Sequence, residues 1–304
     1  MNAPSKRRII EPGIYDLPSE VYHADPVPGG SLSSSGARKL LIEPFGGCPA
    51  KFKYERDNPP EPKAHFDFGH VVHRLVLGKG EAYSVIDAAD WRGKATKEAG
   101  EAARAAGKVP ILAKDFARCE AMADQVRKHD FAGALFQAGK AEQSLFWRDD
   151  FTGVMCRAML DWLPEKGAIF ADYKTCADAS PDAIAKALDN LGYYLQAAWY
   201  LEGIEALGIV ENPTFLFVFQ EKEPPHLVTV VQPEAGDLVW GRIVAKKARL
   251  EFAKCLRDDH WPGYAEDVIK VGMPHYAHTR LEKADNRGAF QVAMDMQAPL
   301  NAAE

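Results

Sequence analysis

The chain is 304 residues long, 47% hydrophobic and 26% charged, with a formal net charge of −6. Such a balance belongs to a folded globular protein with enough chain to bury a sizeable core, and it excludes a collagen, a coiled coil and a wholly disordered polymer. The best apolar stretch, 191–210, is interrupted by Glu202 and Glu205 and falls short of the roughly 18 uninterrupted apolar residues of a membrane span.

The basic N-terminus, MNAPSKRRIIEPG, lacks the apolar segment of a signal peptide. No membrane contact is expected, and a reducing cytoplasm is the expected compartment. The five cysteines are scattered and form no CxxC pair, which argues against a disulfide framework and a structural zinc or iron–sulfur site. The acidic balance speaks against a surface coated for nonspecific nucleic-acid binding but leaves room for a locally basic groove.

Residues 1–30 are rich in Pro and Gly, show little periodicity and read as an irregular arm. The serines of 31–35, standing before GARKLLIEP, supply an N-cap and predict a short helix over about 34–43, ended by Pro44 and the glycines beyond it. Phe68, Val72 and Leu75, at i, i+4 and i+7, predict a helix over about 66–78. Residues 79–110 are polar and alanine-rich, with good helical propensity but a weak apolar face, and read as exposed or mobile.

Helices over about 113–128 and 130–138 follow, and then the pattern changes to strands at about 142–149, 153–163 and 168–175. Ser180-Pro181-Asp182 opens one long helix to about 207, with proline at its first position. Two strands at about 214–221 and 227–232 and a helix over about 235–258 complete the order. The tail, 266–304, is polar, and its end reads as disordered. The expected fold is a single α/β (α+β) domain over 31–265, with a central mixed β-sheet flanked by helices.

The chemistry begins at Asp172-Tyr173-Lys174. Residues two apart on a strand share a face, so Asp172 and Lys174 project together, with Phe170 beside them. Alone, D-x-K is a weak signal, and a surface ion pair is its ordinary reading. The preceding strand's apolar run ends at Asp161, and a hairpin brings Asp161 close to Asp172. Two converging carboxylates raise each other's pKa, and Mg²⁺ or Mn²⁺ removes that cost; otherwise Asp161 simply ends a strand. His73 stands four residues after Gly69 on one helix face, where glycine lets another group come close, although a lone histidine there is more often a satisfied core residue. Gln196 and Tyr200 are also four apart on a helix, suited either to packing or to reaching a nucleic-acid backbone. Glu142 opens a strand and in isolation is a solvated carboxylate. Arg242, Lys246, Lys247 and Arg249 form a candidate basic surface or an ordinary solvated face.

In combination these residues form a specific pattern. Gly69–His73 as G-x-x-x-H, Glu142 before a strand, Asp161, Asp172-Tyr173-Lys174-Thr175 and Gln196–Tyr200 as Q-x-x-x-Y follow one another on helix, three strands and helix. Together with Leu32-Ser33-Ser34-Ser35-Gly36, the Phe68–Leu77 helix and the Trp91–Glu98 segment, this resembles the RecB-type branch of the PD-(D/E)xK nuclease superfamily. Within it the closer resemblance is to the exodeoxyribonuclease VIII (RecE-type) C-terminal nuclease domain of phages and prophages, over about residues 10–265.

The resemblance implies a restriction-endonuclease-like PD-(D/E)xK core in which His73, Asp161 and Asp172 hold a catalytic Mg²⁺ (Mn²⁺ substituting), with the Tyr173 carbonyl as a further ligand. It implies that Lys174 orients or deprotonates the attacking water or stabilises charge on the phosphate, and that Glu142 serves a second metal or its water shell. Gln196 and Tyr200 would contact DNA near the cut, and Ser33 and Ser35, at a helix N-terminus, would receive a phosphate.

Two departures stand out. Ala171 precedes Asp172 where the superfamily's nominal motif has proline, and only Cys255 lies late enough to join Cys48 in the iron–sulfur cluster of some relatives, so no cluster is expected. The implied activity is Mg²⁺-dependent 5′-to-3′ digestion of linear double-stranded DNA, leaving 3′ overhangs for a RecT-type single-strand annealing protein. The implied assembly is a ring-shaped homo-oligomer in the cytoplasm of a bacterial host. An endonuclease, or an inactive DNA-binding module on the same fold, shares much of this pattern.

Overall fold

The computed structural model describes residues 8–59, 67–284 and Gly288. By contact density the chain divides into two units, Met1–Gly263 and Tyr264–Glu304. The first begins with β1 (Gly13–Tyr15), α1 (Ser19–His23), α2 (Ser34–Leu40), α3 (Pro49–Asp57) and α4 (Asp67–Leu77). Next come β2 (Tyr83–Ile86), α5 (Lys94–Ala105), β3 (Val109–Leu112), α6 (Ala113–Lys128) and α7 (Asp130–Leu135). The strands β4 (Gly139–Arg148), β5 (Met155–Pro164) and β6 (Ile169–Cys176) are followed by α8 (Pro181–Asn190) and α9 (Tyr193–Ala206). The unit ends with β7 (Thr214–Glu221), β8 (Val228–Val231) and α10 (Ala235–Asp258). The second unit contributes α11 (His275–Ala284) among the described residues, where the sequence suggested only a polar tail. The expected disorder at the chain's end falls on residues that, Gly288 apart, lie outside the described ones.

Six strands form one mixed sheet in the order β1-β4-β5-β6-β7-β8. Only β6 and β7 run parallel, linked through α8 and α9; the other neighbours are antiparallel. Phe170, Phe215, Phe217 and Phe219 pack with Trp199 of α9 and Phe252 of α10. Ala171, Tyr173 and Val218 pack with Val71 and Val72 of α4 and Met122 of α6. Helices thus cover both faces of the sheet, which is why β7 reads as a continuous apolar run and not as an alternating one.

The N-terminal residues 8–30 are not an irregular arm. Gly13–Tyr15 pairs with β4 at the sheet edge, and Ile9, Leu17, Tyr22 and Val27 bury themselves against Phe146 and Met155. Their spacing carries no period because they cover a patch and do not build one face of an element. Residues 79–110 are likewise ordered. Tyr83–Ile86 and Val109–Leu112 form a two-stranded parallel sheet, joined by α5, whose inward positions are only Gly100 and Ala103. Small residues carry little hydrophobic signal, so the packed face of α5 was invisible to periodicity.

The expected single helix over 181–207 is broken. Gly192 takes a left-handed φ of 66°, a conformation that glycine alone adopts without strain, and the chain turns there between α8 and α9. The space a Cβ would fill is occupied by Arg38 Cδ at 2.7 Å. The break re-aims α9 across the sheet.

α9 in turn packs closely on α10. A Cβ added at Gly241 would lie 2.6 Å from both the Ala198 Cβ and the Tyr194 carbonyl oxygen, inside contact distance of backbone that cannot move aside. Gly241→Ala is therefore expected to destabilise the protein by about 1–3 kcal/mol. Calorimetry would show this as a lowered Tm with folded-state circular dichroism retained; an unchanged Tm would contradict the close α9–α10 approach.

Candidate active site

The site forms where the sheet splits. β5 and β6 pair at Trp162–Ala171, a register that sets Asp161 opposite Asp172. The Tyr173 N–H then donates to the Asp161 carboxylate, at 2.8 Å to Oδ2. The edge of β5 nearer its start is taken by Leu32, whose N–H donates to the Met155 carbonyl at 2.9 Å and whose carbonyl accepts from the Arg157 N–H at 2.8 Å.

Into this fork come side chains from both sides. Asp172 is 1% exposed. Its Oδ2 lies 2.5 Å from the Lys174 ammonium, and its Oδ1 accepts a 2.6 Å hydrogen bond from the Gln196 amide of α9. From α4, His73 places Nε2 at 3.2 Å from Asp161 Oδ1 and Nδ1 at 3.7 Å from Glu142 Oε1. Gly69, one turn earlier on α4, faces the Thr175 hydroxyl of β6. Glu142 does not open its strand. It sits inside β4 with a left-handed φ of 49°, a conformation costing a non-glycine residue about 1–3 kcal/mol, and the kink leaves its carboxylate buried beside His73.

Burial and charge decide the protonation of this group. Burial, followed by the negative charge of Asp161, pushes Asp172 up to about 6, against the pull of Lys174. Burial acts on Asp161 the same way, but His73, Lys174 and the Tyr173 N–H outweigh it and hold Asp161 below the usual carboxylate range. Burial would depress His73, yet the charges of Asp161, Glu142 and Asp172 raise it. Lys174, desolvated but flanked by Asp172 and Asp161, is held firmly cationic. Burial also raises Glu142, partly offset by His73 and Lys79. The two neighbouring carboxylates are a pair whose charges compete.

Among the described residues no three His, Cys, Asp or Glu side chains are arranged for coordinating one ion; the carboxylates are closed onto Lys174, Gln196 and His73 instead. The donor chemistry nevertheless suits a hard divalent cation, being carboxylate oxygens with one imidazole. Asp172 Oδ2 is buried, and the Lys174 ammonium is its partner.

The remaining expected residues divide. Tyr200 lies on the α9 face that carries Gln196, packed edge-on against Phe215 with ring centroids 5.5 Å apart. The Tyr173 side chain points away from the fork, to the α4 and α6 face, where its hydroxyl donates to Gln220. Ser33 is an N-cap, its Oγ accepting from the Gly36 N–H at 3.2 Å and standing 3.2 Å from Ser35 Oγ, so that hydroxyl is already committed. The suggested basic surface on α10 is only half present: Arg249 turns inward to Glu202 and Asp149, and Arg242 pairs with Glu205. Sequence reasoning missed Lys79, whose ammonium lies 3.5 Å from the carbonyls of Ala141 and Glu142 and pairs with Asp16. As a loop lysine in no motif, it gave no signal.

A mixed sheet split around two aspartates and a lysine, with helices on both faces, defines the PD-(D/E)xK class of fold. Residues 33–270 match the family described as a PDDEXK-like domain of unknown function (DUF3799), and the chain belongs to that family. No curated protein matches the chain. Among solved structures it is similar to a provisionally named exonuclease from Eubacterium rectale, with a TM-score of 0.56 at 12% identity over 86% of this chain and 97% of that one. It is also similar to SSO0001, with a TM-score of 0.32 at 12% identity over 72% of this chain and 75% of that one, too remote to bear on the fold. No described helix is long and apolar enough to cross a membrane.

Gln196 is the one neutral donor to Asp172 among the described contacts, and hydrogen bonds to a charged carboxylate are worth about 1.5–3 kcal/mol. Gln196→Leu is therefore expected to raise the Asp172 pKa by about 1 unit or more, followed by carboxyl-carbon NMR titration. An unmoved titration would show that Gln196 does not tune the carboxylate.

Proposed function

We propose that the protein is a Mg²⁺-dependent nuclease that cleaves DNA phosphodiesters, and more specifically a RecE-type exonuclease digesting linear duplex DNA 5′ to 3′. The observation that carries this reading is the convergence of Asp161, Asp172 and Lys174 in one fork, where burial and then the charge of Asp161 push Asp172 up to about 6. Asp161 and Asp172 would hold the ion, with His73, the Tyr173 carbonyl and, for a second ion or its water shell, Glu142. The ion, when bound, supplies charge neutralisation and an acidified water.

The chain's own groups supply the rest. The Tyr173 N–H and His73 fix the two oxygens of Asp161, and Gln196 fixes one oxygen of Asp172, so the carboxylates need not reorganise as charge develops. Lys174 stays protonated and stands where it can stabilise negative charge on phosphate oxygens. Release of Asp172 Oδ2 from Lys174 would free one carboxylate oxygen and one cation together. Tyr200, and Gln196 beyond its bond to Asp172, would meet the DNA backbone, and Ser35 is better placed than the capping Ser33 to receive a phosphate. Duplex ends are the proposed substrate, a single-strand annealing protein the proposed user of the 3′ overhang, a ring the proposed assembly, and the bacterial cytoplasm the proposed compartment.

The test is digestion of a linear duplex labelled at its 5′ or 3′ end, with Mg²⁺, beside a closed circle. Early loss of the 5′ label with the circle intact is expected. Asp172→Asn and Lys174→Ala should each slow cleavage on the order of 10³-fold without loss of fold. Cutting of the circle would replace the exonuclease by an endonuclease. Folded protein that binds DNA but cleaves none with Mg²⁺ or Mn²⁺ would reject nuclease activity.

A further inference from the structure

Among the residues of the fork, Glu142 alone has a left-handed backbone, a conformation that persists only where its surroundings impose it. The pairs Ala141–Trp162 and Gln143–Leu160 set Glu142 opposite Asp161. Asp161 stands opposite Asp172 in turn, so the three carboxylates form one row across β4, β5 and β6. β1 pairs with β4 only as far as Ser144. Beyond that point Lys79 comes to β4. Its ammonium lies 3.5 Å from the carbonyl oxygens of both Ala141 and Glu142, one on either side of the strained Cα. The same ammonium pairs with Asp16, the residue that follows β1. The Gln143 amide closes the turn by donating to the Ala141 carbonyl at 3.0 Å.

The loop after α4 delivers Lys79 to this place. Lys79 stands between Gly78 and Gly80, whose φ values of 75° and 133° are open to glycine without strain. The Gly78 N–H donates to the Arg74 carbonyl at 2.8 Å, and the Arg74 guanidinium donates to the Gly80 carbonyl. α4, which also carries His73, therefore holds the loop on both sides of Lys79. A Cβ at Gly80 would lie 3.1 Å from Glu142 Oε1, the oxygen that faces His73. One loop thus meets both the backbone and the carboxylate of Glu142. A surface ion pair with Asp16 alone would require neither contact.

We propose that Lys79 is a positioning residue of the reaction centre. With Gly80 it holds the left-handed turn of β4 and so sets the Glu142 carboxylate beside His73, where it serves a second ion or its water shell. The inference rests on the metal role proposed for Glu142. Groups that hold a metal ligand in place without touching the metal typically set the metal affinity or activity by about tenfold or more.

The test measures Mn²⁺ binding to the full chain by titration calorimetry, with no cleavage involved. Lys79→Met, which removes the ammonium and keeps the stem, is expected to weaken Mn²⁺ binding about tenfold; Lys79→Arg, which restores a cation, should retain most of the affinity. In the Glu142→Gln background Lys79→Met should cause no further loss, because the residue through which it acts is already impaired. Gly80→Ala, which keeps the ammonium and crowds the carboxylate, should weaken binding in the same way, and it decides the matter if circular dichroism shows Lys79→Met unfolded. Wild-type affinity in folded Lys79→Met, or losses that add in the double variant, would overturn the positioning role and leave the metal centre standing. A wild type that binds no Mn²⁺ would remove the metal centre itself, and the inference with it.

Discussion

Asp161 and Asp172 face one another across two strands in a space nearly closed to water. Two like charges about 5 Å apart oppose each other by about 3 kcal/mol even at an effective dielectric near 20, and burial adds the cost of desolvation. The surrounding structure answers that cost piece by piece. Lys174 stands against one carboxylate, His73 against the other, and the Gln196 amide and the Tyr173 N–H each point at a carboxylate oxygen. What remains uncompensated appears as the upward displacement of Asp172. Such displaced carboxylates cluster at functional sites, although structural ion-pair networks produce them too.

The fold serves this concentration of charge. β6 holds Asp172 and Lys174 on one face and uses the other, through Tyr173, to anchor against Gln220 in the core. The turn at Gly192 directs α9 so that Gln196 reaches Asp172, while α4 brings His73 in beside Asp161 and Glu142. The left-handed kink at Glu142 is the local strain that lets a strand residue join them. Leu32 fills the edge of β5 near its start and so ties the LSSSG segment to the sheet.

Much of this was legible in the sequence, for definite reasons. The strands β4 to β7 and helices α6 and α10 are long and patterned, and hydrophobic periodicity finds such elements. The D-x-K strand, Asp161, His73 and Gln196 were found because they recur at spacings that a strand or helix turns into shared faces. Their mutual contacts were legible only in part: the Q-x-x-x-Y pair suggested a hand laid on DNA, whereas Gln196 is bonded to Asp172. The segments that escaped had weak signals. β2 and β3 are four residues each, α5 packs through glycine and alanine, and the residues before Ser31 cover a patch without a period. The break at Gly192 was hidden because the flanking helices share an apolar stretch, and the turned-in arginines of α10 cannot be told from exposed ones by spacing.

In the fork, charges are brought together at a cost that a bound cation would relieve, and the most direct measurement concerns that cost. Thermal unfolding should be followed with and without saturating Mg²⁺, for the wild type and for Asp161→Asn. A ligand at about 100 times its Kd stabilises by about 2.7 kcal/mol, so the wild-type Tm should rise by several degrees and that of Asp161→Asn should barely move. A wild-type Tm indifferent to both Mg²⁺ and Mn²⁺, or an equal rise in the variant, would contradict the assignment of the fork as a metal-dependent reaction centre.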